Sequence, residues 1–137
     1  MARHVVASTA DIPNGGNKVV TIEGREIVVF HIKGEFFALL NRCPHEGGPM
    51  DRAQPVAKLD SDGPGNYRRS REGEFLRCPW HGWEFDVRTG QSYFDPRHCK
   101  VRAYPVEVAD GKDILSGPYV AEVFPVTIDR NYVLVDV

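Results

Sequence analysis

VVTIEGREIVVFHIKGEFFALL, residues 19–40, decides the fold class. Its runs Val19–Ile22, Glu26–Ile32 and Glu35–Leu40 are rich in Val, Ile and Phe, side chains that fit a pleated, half-buried surface. Glu23-Gly24 and Lys33-Gly34 lie between the runs and read as tight hairpin turns. Three consecutive strands are therefore expected here. The same rhythm continues downstream. Trp83, Phe85 and Val87 alternate with Glu84 and Asp86, a period of two that buries one face. Val101–Val108 is a further strand, with Pro105 restricting it to an edge or a bulge. Asp110-Gly111 offers a turn, and Tyr119–Val126 with Tyr132–Val137 reads as a closing hairpin. No segment keeps a 3.6-residue apolar repeat, and the one helical hint is a single turn near Ser8–Ile12. The expectation is an all-β chain, 1–137 as one domain, built of small antiparallel sheets or a barrel-like sandwich. The polar, turn-rich stretch from about Asp51 to Arg71 reads as a long surface loop.

Composition narrows the function. A formal net charge of −2 favours neither nucleic acid nor an anionic membrane surface as partner. The longest unbroken apolar run, Phe36-Phe37-Ala38-Leu39-Leu40, is far short of the roughly 20 residues that span a bilayer. The segment Met1–Ser8 has no signal-peptide apolar core, so a cytoplasmic protein is expected. Three cysteines suit metal binding better than a disulfide framework.

Two motifs carry chemistry: Cys43-Pro44-His45-Glu46-Gly47-Gly48 and Cys78-Pro79-Trp80-His81-Gly82. Each sets one thiol and one imidazole two or three residues apart on a Pro/Gly turn. That spacing lets both side chains converge on one metal centre, and glycine lets the backbone approach closely. Two such pairs supply two sulfurs and two nitrogens. A structural Cys₂His₂ zinc site, in a binding module without redox function, is the alternative. Zinc sites more often group both thiols in one knuckle, whereas here each knuckle mixes the two.

The C-x-H … C-x-x-H pattern, filled by CPH and CPWHGW, resembles the Rieske iron–sulfur family. The approach Gly34–Leu39, the exit Trp83-Glu84-Phe85-Asp86 and the Thr89-Gly90 turn are similar too. The resemblance covers about Val19 to Val108. It implies a Rieske-like β fold with a small cluster-binding subdomain, whose loops fall at about 43–50 and 78–83. It implies one [2Fe–2S] cluster, with Cys43 and Cys78 on the inner iron and His45 and His81 on the outer one. No residue is expected to be catalytic. The role implied is a one-electron carrier, a component of a dioxygenase system rather than an enzyme, with a flavin-dependent ferredoxin reductase and a terminal oxygenase as partners. A small subunit of the nitrite-reductase type is the second reading; such subunits often lack the ligands, and this chain keeps all four.

Membrane-anchored Rieske subunits add a cysteine to each loop; Gly48 and Trp80 stand there in this chain, so that bridge is absent. Those proteins also place hydroxyls where Trp83 and Phe85 stand. Fewer donors to the cluster imply a potential near the low end of the roughly −150 to +300 mV Rieske range. His4, His31 and His98 show no paired spacing for a second, mononuclear iron. His31, mid-strand, reads as a satisfied histidine, and Cys99 as a small core residue sharing a strand face with Val101 and Ala103. Pro49, Met50 and Trp80 read equally as an apolar docking collar or as a shield around the cluster. Arg68, Arg69 and Arg71 read as a solvated loop face or as a docking site for an acidic partner.

Overall fold

The two hairpins between residues 17 and 40 need turns whose twist matches their strands, and the Glu23-Gly24 and Lys33-Gly34 pairs provide them. In the computed structural model, β1 (Arg3–Ser8) leads into a 3₁₀ turn, Thr9–Asp11, and then into β2 (Asn17–Ile22), β3 (Arg25–Ile32) and β4 (Glu35–Leu40). Glu23 and Gly24 take φ of 52° and 78°, and Lys33 and Gly34 take 52° and 80°. Positive φ at both central residues is the mark of the type I′ turn, which suits the right-handed strand twist. β2 pairs antiparallel with β3 from Asn17↔Phe30 to Ile22↔Arg25. Ser8 caps the 3₁₀ turn through a reciprocal box with Asp11, so the helical hint near Ser8–Ile12 is realised as one turn.

The structure describes residues 3–44, 48–61, 65, 67–79, 83–92, 100–116, 126–127 and 129–137, with backbone alone at 57–61, 67–72 and 115–116. Past β4, a 3₁₀ turn at Met50–Arg52 leads to β5 (Gln54–Ser61), β6 (Tyr67–Arg77), β7 (Glu84–Asp86), β8 (Ala103–Tyr104) and β9 (Val106–Asp110). A short helix α1 (Gly111–Ser116) and β10 (Asn131–Asp136) follow. The sheets run β1-β10-β9, β2-β3-β4-β8 and β5-β6-β7. The fold is all-β and mostly antiparallel, as the sequence implied.

Four expectations change. The stretch 51–71, read as a loop, contributes to a hairpin: β5 pairs with β6 from Gln54↔Arg77 to Ser61↔Tyr67, with an irregularity between Val56 and Lys58. Backbone pairing there needs no apolar alternation, so the pattern gave no sign of it. Asp110-Gly111 does not turn the chain but starts α1, with Asp110 Oδ1 accepting from the Asp113 N–H at 2.8 Å. Pro105, lacking an N–H, divides the run Val101–Val108 into β8 and β9, each at the edge of a different sheet. Finally, β10 pairs with β1 and β9, as His4↔Val135 and Val133↔Val108. Residues 119–125 of the expected closing hairpin lie outside the described set.

Contacts divide the chain into two compact units, 1–38 with 104–137, and 39–103. In the first, β3 buries Ile27, Val28, Val29 and Phe30 in succession, so both of its faces are covered. Val5, Ile114, Tyr132 and Leu134 form a second cluster in that unit. In the second, Leu39, Cys43, Met50, Leu76, Cys78, Phe85, Val87 and Val101 are buried.

Candidate metal centre

Each cysteine motif sits where a strand ends, because proline and glycine stop the ladder and turn the chain. Cys43 follows β4, and Cys78 follows β6 directly. The two loops close in the same way. The Cys43 N–H donates to the Gly48 carbonyl at 2.7 Å, and the Cys78 N–H donates to the Trp83 carbonyl at 2.7 Å. Both bonds run from the cysteine to the residue five positions on, around the segment that carries the histidine.

Each loop is also pinned at its neck. Asn41 Oδ1 accepts from the Asp51 N–H at 2.8 Å, holding the chain on either side of the first loop. Around the second, Arg77 and Glu84 are register partners in β6 and β7, and the Arg77 guanidinium donates through Nε at 3.1 Å and Nη2 at 2.8 Å to Glu84 Oε2. Arg88 Nε meets Glu74 Oε1 at 3.0 Å, and the Val87 N–H donates to the Glu74 carbonyl, tying the turn after β7 back to β6. An exposed ion pair adds little stability, about 0–1 kcal/mol. Its contribution here is to restrict where the loop can go. Phe85 and Val87 are fully buried beneath this hairpin.

Both thiols are buried, at 0% and 1% exposure, in the same unit, and neither takes part in a disulfide. His45 and His81 lie outside the described residues, as do Trp80 and Cys99. Among the described residues no three His, Cys, Asp or Glu side chains gather in a metal-binding group. A [2Fe–2S] cluster with mixed ligation asks for two shielded thiols on separate loops, each loop bearing an imidazole. The buried, disulfide-free cysteines and their like-closed loops fit that demand. Soft thiolates suit iron–sulfur clusters, and imidazole suits iron.

The structure decides between the two readings of one neighbour and supports the reading of another. Met50 has no exposed surface, so it shields the loop from within and is not part of a docking collar. Pro49 is half-buried. His31 is satisfied, as expected: Nδ1 lies 2.7 Å from the Ile12 carbonyl, and the ring stacks on Phe36 at a centroid distance of 4.1 Å. The loop-neck contacts of Asn41 and Glu74 were missed by sequence reading; single polar residues carry no sign of partners 10 or 14 positions away.

Comparison with known proteins agrees with this geometry. The family model of the Rieske [2Fe–2S] domain matches residues 2–105. The ferredoxin component of a naphthalene 1,2-dioxygenase system from Pseudomonas aeruginosa is 33% identical over 98 residues, 72% of this chain and 79% of that protein. The ferredoxin component of the naphthalene 1,2-dioxygenase/salicylate 5-hydroxylase systems from a Ralstonia species is 31% identical over 105 residues, 77% of this chain and 86% of that protein. Among solved structures, the ferredoxin of carbazole 1,9a-dioxygenase from Nocardioides aromaticivorans IC177 shares the fold, with a TM-score of 0.62 at 23% identity, covering 98% of this chain and 97% of that one.

Proposed function

This chain belongs to the Rieske [2Fe–2S] family, and from that premise we propose that it is a soluble, cytoplasmic one-electron carrier of the ferredoxin type. It takes electrons from a flavin-dependent reductase and delivers them to a terminal oxygenase. The names of the relatives, ferredoxin components of dioxygenase systems, support this role. The observation that carries it is the pair of like-closed loops, each presenting a buried thiol.

Cys43 and Cys78 would hold one iron of the cluster and His45 and His81 the other. When bound, the cluster supplies reversible one-electron transfer without forming a bond to a substrate. The chain's own residues do the rest. Burial shields both thiols from water, and the Cys43–Gly48 and Cys78–Trp83 bonds restrain the loops that carry them. Trp83 and Phe85 bring no hydroxyl to the second loop, which leaves the reduced state less stabilised and the potential low.

The test is the absorption spectrum and the iron and sulfide content of anaerobically purified protein, followed by electron paramagnetic resonance after dithionite. A red-brown protein with a rhombic signal and a midpoint below zero is expected. A colourless protein holding stoichiometric zinc overturns the carrier reading.

A further inference from the structure

We propose that the cysteine-bearing unit meets its electron-transfer partner through a cationic patch formed by Arg42, Arg52 and Lys100, and that the partner presents an acidic surface to it. The inference rests on the carrier reading and adds to it the chemistry of the docking surface.

The chain's net charge of −2 conceals a partition. Residues 39–103 carry eleven Lys and Arg against nine Asp and Glu, a balance of +2. The remainder carries six against ten, a balance of −4. Positive charge is therefore concentrated in the unit that holds Cys43 and Cys78.

Within that unit, Glu74 is matched by Arg88 at 3.0 Å and Glu84 by Arg77 at 2.8 Å. Asp86 accepts from the Arg88 N–H, and Asp51 has contacts of its own. Arg42, Arg52 and Lys100 are exposed, and no carboxylate among the described residues pairs with them. Their charge is left for an external partner.

They also stand together around the first loop. Arg42 immediately precedes Cys43, and Arg52 ends the 3₁₀ turn that follows the loop. The Asn41–Asp51 bond joins the residues just before each, which keeps the two arginine Cα atoms within about 15 Å, given ~3.8 Å between consecutive Cα atoms. The Leu40 N–H donates to the Arg102 carbonyl at 2.8 Å, so the segment with Lys100 and Arg102 lies beside the strand that enters the loop. There Lys100 and Arg102, with Thr89, Val101 and Ala103, line an open groove of about 420 Å³, wide enough for an acidic side chain. Exposed, uncompensated charges of one sign raise association rates by roughly 10- to 1,000-fold and make them salt-dependent.

The experiment uses cluster-loaded protein and two oxidants of opposite charge, hexacyanoferrate(III) and tris(1,10-phenanthroline)cobalt(III). In each reaction the reduced protein gives up one electron and the oxidant's metal gains it. Rates are measured by stopped flow for the wild type, the triple variant R42Q/R52Q/K100Q and the charge-preserving R42K/R52K. Binding of fluorescein-labelled poly-L-glutamate is followed by anisotropy on the same proteins. At low ionic strength the triple variant should react on the order of tenfold more slowly with the anionic oxidant and no more slowly with the cationic one. The difference should close near 1 M salt, where the Debye length is about 3 Å. Poly-L-glutamate binding should fall in the triple variant and persist in the lysine variant. Equal slowing with both oxidants, which a changed potential gives, overturns the patch, and so does unchanged poly-L-glutamate binding. A preparation without the iron–sulfur chromophore overturns the carrier reading itself.

Discussion

Replacing Gly90 by alanine tests how tightly the turn after β7 is packed. Gly90 has φ of 77°, and a Cβ built there lies 1.9 Å from the Val101 carbonyl oxygen and 3.0 Å from its carbon. Those are backbone atoms, with no rotamer to swing aside. The two segments must separate by about 1 Å or more, and the Val101 N–H to Gly90 carbonyl bond, 2.7 Å long, lies on the same contact. Left-handed φ costs alanine about 1–2 kcal/mol. Forced displacement adds about 1–3 kcal/mol, the weakened hydrogen bond included. The sum, about 2–5 kcal/mol, is a large share of a typical stability of roughly 5–15 kcal/mol. Gly24→Ala and Gly34→Ala provide the control. Both glycines have the same positive φ, 78° and 80°, and a Cβ there meets nothing within 4 Å. These two variants should lose only the backbone part, about 1–2 kcal/mol. Urea and thermal unfolding by circular dichroism, at matched cluster content, would measure all three. For a chain of this size each kcal/mol corresponds to roughly 3–5 °C in Tm, so Gly90→Ala should melt clearly below its controls. Equal loss at Gly90 and Gly24 would refute the argument, because φ alone would then explain everything.

Four further outcomes follow from the same structure. Cys43→Ser and Cys78→Ser should each remove the visible absorption of the cluster, read by spectrum and iron content, while Phe85→Ala should destabilise by about 3–5 kcal/mol as a buried aromatic is lost. Tyr132→Phe should cost about 1 kcal/mol in urea unfolding, since the hydroxyl of this buried ring accepts from the Thr127 N–H at 2.8 Å. Asp129 is held below its ordinary carboxylate pKa by the Thr127 hydroxyl, then by a backbone N–H and nearby Arg130. A depressed folded-state pKa means that its contribution is complete above the unfolded value near 3.8 and is lost as pH falls through the lower folded value. Following the Asp129 carboxyl by NMR should show a midpoint below 3.8 in the wild type, moving upward in Thr127→Val.

Sequence by itself determined the parts whose signal is local. Glu23-Gly24 and Lys33-Gly34 specify their turns because few backbones satisfy positive φ at two successive residues, and β2 to β4 follow from them. The Cys43-Pro44-His45 and Cys78-Pro79-Trp80-His81 motifs marked the metal-binding segments and carried the resemblance that implies the cluster, since donor chemistry and reach are properties of a short segment. The Trp83–Val87 alternation likewise marked the buried side of β7, where Phe85 and Val87 have 0% and 1% exposure.

Tertiary structure alone decided what depends on residues far apart in the chain. Nothing in Arg3–Ser8 announces that it pairs with Asn131–Asp136, because the closure entropy of so long a loop is repaid by backbone hydrogen bonds that any side chain permits. The β5–β6 hairpin was concealed for the same reason: its ladder joins charged and polar positions such as Asp60↔Arg68, where apolar periodicity is silent. Met50 reads from the sequence equally as docking collar or as shield, and packing decided for the shield by burying it completely, since burial is set by what folds over a residue and not by its neighbours along the chain. The charge left exposed at Arg42, Arg52 and Lys100 is likewise a tertiary result. Composition counts every arginine alike, and only the fold shows which of them already have a carboxylate.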